Sequence, residues 1–503
     1  MANLENIQSG AIALYKRIPG ILWICLLVFV PVTSFPMLAR YLGYTSVSPL
    51  SVVPLVLLLL VWLLPYILQK GRISTITIPF LVFVAFVLLS CLRAPFLEIY
   101  PFKGQSVLGR EIRALITLFI GLGFYIVASS FPKTEKDIRS SLRWIYLGAG
   151  IMFLWATVQI FRLPYSFNPQ PDSLKAFHSL FVTTELFRYR VTGLAYEPSW
   201  LADQLTILYL PLWVASVYKG YTVFNFKIWK FPVELLLLIW GAVILFFSYS
   251  RVGLLAFVAT LGVLLFIGAS HWVDRLAQKR SEKSRWRKKR LKTFYWLLII
   301  FLFFLFVAGI IFLAVQTNER IRGIFDINFG SILESERLPF IYNLVNNLEY
   351  AERLMYWISA FLVFSQYPFL GIGLGNTGFL FRQTVPAFGT YLPEVLIILG
   401  PVKETIANPK SLWLRLLSET GIIGFSLFLS WLTLVGLTAI FLNRKKVGVQ
   451  SVVGLAAGLA LVALFFEGFS LDTFALPQLW IIFGLLTAAY TMMRNKSIQE
   501  EQG

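Results

Sequence analysis

Long apolar runs separated by short polar segments repeat along most of the chain. A helix needs roughly 20 apolar residues to cross the hydrocarbon core of a membrane. Runs of about this length lie at 20–39, 50–68, 75–93, 112–130, 144–162, 198–218, 232–249, 252–270, 293–316, 411–441, 449–467 and 476–493. The pattern predicts an all-α polytopic membrane protein with about 12 transmembrane helices, forming a single membrane domain over residues 1–503.

Basic residues mark one side of this predicted membrane domain. More than half of the 44 Lys and Arg lie in the terminal segments and in alternate, mostly short connections, whereas most acidic residues lie on the other side. The densest block, 271–292, has ten Lys and Arg against two acids. Because cytoplasmic loops carry the excess of Lys and Arg, we predict that 271–292 is a cytoplasmic loop and that both termini are cytoplasmic.

Composition agrees with the membrane prediction and excludes several classes of protein. The chain is 58% hydrophobic and only 14% charged, with a mean hydropathy of +0.74, whereas a soluble domain is about a quarter charged. The net charge of +19 does not indicate nucleic-acid binding, because the basic block lies directly between two spans and fits contact with anionic lipid headgroups. No cleavable signal peptide is expected.

Neither a metal nor another cofactor is predicted. Cys25 and Cys91 both lie in apolar runs, which favours neither a disulfide framework nor a thiolate metal site. His178 and His271 are too few and too far apart in the chain for a zinc site.

The longest connection, 317–410, is expected on the extracytoplasmic side. Loops of this length are usually functional or form a small domain. This one contains an amphipathic stretch, which predicts a helix packed on the membrane surface or on the bundle. Its apolar positions at near-helical spacing are Leu344, Leu348, Leu354, Trp357, Ile358 and Phe361.

An arginine occupies the short connection in "FFSYSRVGLLAF". Arg251 follows Tyr249 at the tip of a hairpin that faces outward, against the charge trend. One interpretation is an arginine that extends its head to the lipid headgroups, a role that lysine could also fill. The other is an anion site, because guanidinium binds phosphate bidentately and stays charged. Tyr249 could stack on a sugar or belong to the interfacial aromatic belt.

A second group of polar residues occurs in "FRYRVTGLAYEPSWLADQL". Arg188 and Arg190 precede a predicted outward helix start, which opens with Glu197-Pro198. Asp203 lies inside the membrane-length segment, where carboxylates are commonly functional. The simpler alternatives are that Glu197 serves only the helix N-terminus and that Asp203 pairs with an arginine.

Two further groups follow in the long connection and the next span. Arg353, in "AERLMYW", is a candidate phosphate or sugar contact. The glycines of "GIGLGN" follow a helical pattern and not a strand, so we interpret them as a tight turn and not as a dinucleotide loop.

Lys410, in "NPKSLWLRLLSETG", lies at the mouth of a span. Arg415 and Glu419, spaced four apart within that span, are predicted to form an ion pair.

Taken in order, these groups resemble the O-antigen ligase and polymerase (Wzy-type) superfamily. The matching elements are Arg190-x-x-Gly193 leading into "EPSWLA", the Ser250-Arg251 hairpin, the "ER…W…P…GIGLGN" segment and "LRLLSETGIIGF". The resemblance covers roughly 185 to 430. It implies a C-type membrane glycosyltransferase (GT-C) architecture that moves a glycan from an undecaprenyl-pyrophosphate carrier to an acceptor hydroxyl at the outer face of the bacterial inner membrane.

The resemblance also implies roles for individual residues. Arg190 and Arg251 would bind the carrier pyrophosphate, with no metal and with inversion at the anomeric carbon. A further hypothesis is that Glu197 or another acid assists the attacking hydroxyl. Arg188, Arg353, Asp203 and Tyr249 are expected to contact substrate. Ligases have a histidine where this sequence has Lys410, which favours a polymerase of exopolysaccharide or O-antigen repeats in which Lys410 binds pyrophosphate or a sugar carboxylate.

Two other functions are open at this point. A ligase or another lipid-linked glycan transferase would use the same donor. A flippase or anion transporter would also have many spans, but it would be expected to carry charges along a central passage and internal repeats. Expected partners are the lipid-linked donor and acceptor and membrane lipids, together with possible contact with a flippase or chain-length regulator.

Overall fold

A computed structural model of the protein describes residues 17–42, 45–162, 172–280, 285–317, 350–400, 406–444 and 448–502, which are mostly helical. Helices of ten or more residues, numbered in chain order, are α1 (Arg17–Val28), α2 (Val52–Leu68), α3 (Thr75–Phe96), α4 (Val107–Ser130), α5 (Glu135–Arg162), α6 (Pro198–Lys219), α7 (Val233–Ser248), α8 (Arg251–Arg280), α9 (Arg285–Thr317), α10 (Ala351–Gln366), α11 (Leu412–Asn443), α12 (Val449–Glu467) and α13 (Pro477–Gln502).

Short elements connect these helices. The short helical segments are Pro36–Tyr41, Asp172–Ser179, Thr377–Phe379, Phe381–Thr384, Ala387–Tyr391 and Pro393–Leu399. Within the described part of the chain, the strands Lys227–Ile228 and Phe231–Pro232 form an antiparallel hairpin.

Eight helices of the described residues are long and apolar enough to cross a membrane: α3, α4, α5, α6, α8, α9, α11 and α12. Helices α1, α2 and α7 are shorter apolar helices. Helix α13 covers the last predicted span, 476–493, but is not one of these eight helices. A polytopic helical membrane protein is therefore confirmed, but the count of twelve spans is not.

Two sequence predictions differ from the helix boundaries. The predicted span 20–39 is not one helix, because α1 ends at Val28 and a separate helix begins at Pro36; Pro31 and Pro36 each remove a backbone donor and disfavour a continuous helix. The predicted loop 271–292 is helical on both sides of 281–284, since α8 extends to Arg280 and α9 begins at Arg285.

One face of α10 packs into the protein. Its buried residues include Met355, Tyr356 and Ala360, whereas Phe361, which we predicted on the apolar face, is 53% exposed. Leu344 and Leu348 of the same predicted stretch lie outside the described residues.

Aromatic side chains from four helices form the centre of the bundle. Trp431 of α11 lies 4.6 Å from Phe80 of α3, 5.3 Å from Tyr125 of α4 and 5.8 Å from Trp480 of α13, measured between ring centroids. All four residues are buried. Stacked and edge-to-face aromatic pairs of this kind add stability beyond their buried area, so this cluster packs α11, which carries the motif "LRLLSETGIIGF", against α3, α4 and α13.

Helix termini that are distant in sequence meet at one end of the bundle, which we call the site end. The backbone N–H of Val191 donates to the carbonyl of Phe247 at the end of α7. Ser411, just before α11, donates from Oγ to the carbonyl of Gly468, just after α12 (3.0 Å). The site end therefore joins the start of α6, the α7–α8 connection, the start of α11 and the end of α12.

The other termini meet at the opposite end. The Nζ atom of Lys219, at the end of α6, donates to the carbonyl of Asn443 at the end of α11 (2.9 Å). Thr491 of α13 donates to Ser74 just before α3 (3.0 Å). Helices α6 and α11 therefore begin at the site end and finish at the opposite end, as the order of predicted spans requires. In that order the site end corresponds to the predicted outer side.

Candidate functional site

The segment Arg190-Val191-Thr192-Gly193 is held in place by a glutamine of α5. Gln159 Oε1 accepts hydrogen bonds from the backbone N–H groups of Thr192 (2.9 Å) and Gly193 (3.0 Å), and its Nε2 donates to the carbonyl of Gly193 (3.1 Å). Gly193 has a φ of 57°, a left-handed conformation that glycine adopts without steric cost. This explains the glycine of the motif, and Gln159 is a positioning residue that no sequence pattern indicated.

The α7–α8 connection is a tight turn closed by its own serines. Tyr249 adopts a φ of 49°, which is uncommon for a residue other than glycine. Ser250 accepts a hydrogen bond from the backbone N–H of Gly253 at its Oγ atom (3.3 Å) and so caps the N-terminus of α8. The cap fixes Arg251 in the first turn of α8, and the ring of Tyr249 packs near Phe246 and Phe247.

The side chain of Arg190 contacts the turn that precedes Arg251. The Nε atom of Arg190 donates to the carbonyl of Ser248 (2.9 Å), the last residue of α7. The sequence places these two arginines 61 positions apart, and the fold brings the side chain of the first to the residues that immediately precede the second. A common anion site for the two arginines stays a prediction.

Arg353 joins the same region through α10. The guanidinium carbon of Arg251 lies 5.7 Å from the ring centroid of Tyr350, a cation–π distance. One helical turn later, Arg353 donates from Nη1 to the carbonyl of Ser470 (3.3 Å) and to its Oγ (3.2 Å). We call Arg190, Arg251 and Arg353 the arginine cluster, because these contacts connect all three at the site end.

Two predicted residues flank the arginine cluster. Arg188 is exposed and lines a small cavity of about 20 Å³ with Gln159 and Arg162. Glu197 is half-buried at the N-cap position of α6, where Pro198 follows in the first turn. Its Oε1 accepts a hydrogen bond from Ser199 Oγ (2.5 Å). The position at a helix N-terminus, which favours negative charge, agrees with the simpler role predicted for Glu197.

Asp203 lies deeper in the bundle and contacts an amide. It is 3% exposed, and one of its oxygens accepts a hydrogen bond from the side chain of Gln478 in α13. An arginine partner, which was the simpler alternative, is not found among its hydrogen bonds in the described residues. Asp203 and Glu467 of α12 line one small cavity, and Glu467 is also buried. No sequence pattern connects these two carboxylates.

Lys410 has a carboxylate partner. Its Nζ lies 2.5 Å from Glu394 Oε1, with both side chains more than one-third exposed, and 4.7 Å from the ring centroid of Tyr356. Its backbone N–H donates to Asp472 Oδ2 (3.0 Å). Burial raises the pKa of Tyr356 and the nearby Glu394 carboxylate raises it further, so the phenol stays protonated beside Lys410.

The predicted ion pair within α11 is confirmed. Arg415 Nε lies 2.9 Å from Glu419 Oε2, and both side chains are buried. Arg415 also donates to the carbonyl of Asp472. Arg353 contacts Ser470, and both Lys410 and Arg415 contact Asp472. The loop 467–473 therefore joins α10, α11 and α12 at the site end.

The glycine-rich segment is a turn, as predicted. Gly371, Gly373 and Gly375 have φ values of 65°, 86° and 92°. A Cβ atom on Gly371 would lie 2.4 Å from the backbone of Glu419, and one on Gly373 would lie 2.2 Å from Glu111 Oε1. The glycines therefore allow the loop to pack closely against α4 and α11, which is a structural role.

This arrangement defines a multi-pass helical membrane protein with a group of arginines at one end of its bundle. Residues 236–429 match the Wzy_C family model, described as O-antigen ligase. The resemblance inferred from the sequence is confirmed over this range, which contains Arg251, Arg353, Lys410 and Arg415, while Arg190 and Glu197 lie before it. No curated protein matches the chain. A region similar to this family, within a multi-pass helical chain, indicates a membrane transferase for lipid-linked glycans.

Proposed function

We propose that this protein is a polysaccharide polymerase of the GT-C type. It would transfer a glycan from an undecaprenyl-pyrophosphate carrier to an acceptor sugar hydroxyl at the outer face of the bacterial inner membrane, with both termini in the cytoplasm. The observation that carries the proposal is the arginine cluster at the site end of a chain with a Wzy_C domain. The products would be exopolysaccharide or O-antigen repeats.

The arginine cluster suits a pyrophosphate leaving group. The acceptor hydroxyl attacks the anomeric carbon, the bond from that carbon to the phosphate oxygen breaks, and the pyrophosphate leaves with the electron pair. Guanidinium groups bind such oxygens bidentately and remain charged, and preorganised charges stabilise a developing anion. Arg190 and Arg251 would therefore stabilise the leaving group without a metal, with inversion at the anomeric carbon, while Arg353 and the exposed Arg188 bind the donor.

Glu197 is the proposed acceptor of the hydroxyl proton. Its carboxylate is half-buried at the start of α6, seven residues after Arg190 in the chain. A general base must reach the hydroxyl that it deprotonates, and Glu197 opens the helix that follows the Arg190 segment. Tyr249, in the turn before Arg251, would contact a sugar, whereas the buried position of Asp203 supports no direct substrate contact.

Lys410 would bind the donor by exchanging its carboxylate partner, Glu394, for an anion of the substrate. Its ammonium group is paired with Glu394 at a partly exposed position, where ion pairs contribute little and an anion of the substrate could compete with the carboxylate. We expect Lys410→Ala to weaken donor binding, and a Lys410→Ala enzyme with full polymer yield would exclude that role. Glu394→Gln is the matched variant, because it removes the competing carboxylate and should not weaken donor binding.

A ligase is the second candidate, and the description of the matched family as O-antigen ligase favours it. The two functions share the donor and differ in the acceptor. A polymerase extends a second lipid-linked repeat unit, whereas a ligase transfers the glycan to a different acceptor.

Reconstitution in liposomes tests the proposal. The purified chain, given lipid-linked repeat units as both donor and acceptor in the presence of EDTA, should form a ladder of longer lipid-linked products, and Arg251→Ala should abolish the ladder. Single units that remain unextended by the active preparation would contradict polymerisation. Transfer only after addition of a second acceptor would identify a ligase, and movement of intact units across the bilayer without extension would identify a flippase. Contact with a flippase or chain-length regulator is tested by co-purification.

A further inference from the structure

A small, mostly apolar cavity lies among α6, α11, α12, α13 and the loop that follows α12. Its volume is about 30 Å³, and its polar lining residues include Asp203, Glu467 and Gln478. These three side chains are 3%, 1% and 1% exposed. A space of this size holds about one water molecule or one small ion.

The cavity presents oxygen atoms that lack donors. Glu467 Oε1 accepts a hydrogen bond from Thr206 Oγ1 (2.9 Å), but its buried Oε2 has no hydrogen-bond partner. The amide of Gln478 donates to Asp203 through its nitrogen, while its buried Oε1 has no partner. Buried polar atoms without partners commonly mark an unseen water or ion, and here two such atoms belong to one cavity wall.

The charge of the cavity distinguishes an ion from a water molecule. None of the described residues that line it is cationic, and two of them are carboxylates. Arg353 acts electrostatically on Glu467, and its guanidinium donates to the carbonyls of Phe469 and Ser470 in the loop after α12. A water molecule could donate to both oxygens but would not compensate two ionised carboxylates, whereas a cation or a proton would, because buried charge without compensation is costly. Thermal unfolding in sodium and in choline distinguishes the cation from the proton.

We propose that Asp203, Glu467 and Gln478 form a binding site for one sodium ion. The carboxylate and amide oxygens are hard ligands of the kind that bind alkali and alkaline-earth cations. A single positive charge balances the two carboxylates and Arg353, whereas a divalent ion would leave an excess of positive charge. The sodium site shares Arg353 with the arginine cluster, but the proposal does not depend on the proposed glycan transfer.

The site also touches the helix that carries Arg251. A Cβ atom on Gly253 would lie 2.6 Å from the Cβ atom of Ala202 and 3.4 Å from Glu467 Oε1. The first turn of α8 therefore packs directly on the wall of the cavity, and an ion bound there would stabilise the packing of α6, α8 and α12 at the site end.

Thermal unfolding tests the proposal without any assay of activity. The full-length protein in detergent, followed by tryptophan fluorescence, is titrated with sodium chloride at constant ionic strength maintained with choline chloride. Since a ligand that binds only the folded state raises the melting temperature, sodium should raise it saturably by several degrees. Glu467→Gln and Asp203→Asn should lose this response, and Gln478→Ala, which keeps both charges, should weaken the apparent sodium affinity about tenfold.

Glu234→Gln is the matched control. Glu234 is also a fully buried carboxylate, but its oxygens accept hydrogen bonds from Thr222 Oγ1 and from the backbone N–H of Val223. This variant should keep the full sodium response. Equal melting curves in sodium and choline would overturn the proposal. It would also be overturned if lowering the pH in choline stabilised the protein and sodium had no effect, because the charge would then be balanced by a proton. If a variant fails to fold, binding of radioactive sodium to the native protein and to Gln478→Ala decides the question.

Discussion

Arg190 Nε donates a hydrogen bond of 2.9 Å to the carbonyl oxygen of Ser248. This bond ties the segment before α6 to the last residue of α7, three positions before Arg251. Because Ser250 caps α8 at the same turn, the backbone that carries Arg251 and the side chain of Arg190 are held by one set of contacts. Changes at either arginine are therefore expected to affect the same site.

Arg251→Lys should be nearly as damaging to glycan transfer as Arg251→Ala. Lysine keeps the positive charge but cannot bind a phosphate with two parallel N–H groups. Loss of one charge-assisted hydrogen bond costs about 1.5–3 kcal/mol, so we expect a reduction in transfer rate on the order of tenfold to a hundredfold for both variants. Rates of repeat-unit extension in liposomes measure this, and near-native activity of the lysine variant would assign Arg251 to contact with lipid headgroups.

Glu419→Gln should strongly destabilise the protein. The substitution leaves the guanidinium of Arg415, which is 4% exposed, without its carboxylate partner, and breaking a buried pair in this way costs about 3–5 kcal/mol. A lower melting temperature and a lower yield of folded protein are expected. The double variant Arg415→Met with Glu419→Leu, which removes both charges, should recover part of the loss; equal instability of the double variant would show that the hydrogen bond to Asp472 matters more than the ion pair.

Gly421→Ala should prevent α11 from adopting its bend. Gly421 has φ 64° and ψ −174° within the helix, a conformation that is essentially restricted to glycine. A Cβ atom there would also lie 2.3 Å from the carbonyl oxygen of Phe369. We expect a loss of several kcal/mol, measured as a fall in melting temperature.

Gly150→Ala provides the comparison for that variant. Gly150 lies within α5, and a Cβ atom at this position would meet no atom within 4 Å. Alanine favours the helix over glycine by about 1 kcal/mol, so this variant should be slightly more stable than the native protein. A destabilisation as large as that of Gly421→Ala would contradict the explanation.

Stability should fall as the pH drops below about 6.5. Burial lowers the pKa of His178 to about 4, and the ring is 1% exposed. The unfolded chain binds a proton near pH 6.5 while the folded chain does not, so lowering the pH favours unfolding until the folded pKa is reached. Linkage gives a loss of about 2 kcal/mol between pH 7 and pH 5, measured by thermal unfolding at both pH values.

His178→Gln identifies the source of that dependence. Glutamine cannot be protonated in this range, so the variant should lose the part of the pH dependence that arises from His178. An unchanged difference between pH 7 and pH 5 would show that other groups cause it.

The predicted spans correspond in position to helices because apolar length is a local property of the chain. The ion pair of Arg415 and Glu419 was also predictable, since residues four apart lie on one face of a helix. Where local signals were weak, the boundaries were wrong. The span 20–39 is interrupted after Val28, and helices α8 and α9 extend into the basic block 271–292, up to Arg280 and from Arg285.

The sequence by itself determined the helical membrane character, the glycine turn and the identity of the arginines. Only the tertiary structure decided which side chains meet: Arg190 with Ser248, Arg353 with Ser470, Lys410 with Glu394, and Asp203 with Gln478. The reason is physical. Hydropathy and helical spacing act over a few turns, whereas these contacts join residues on separate elements, and their partners depend on how the aromatic core around Trp431 packs the helices together.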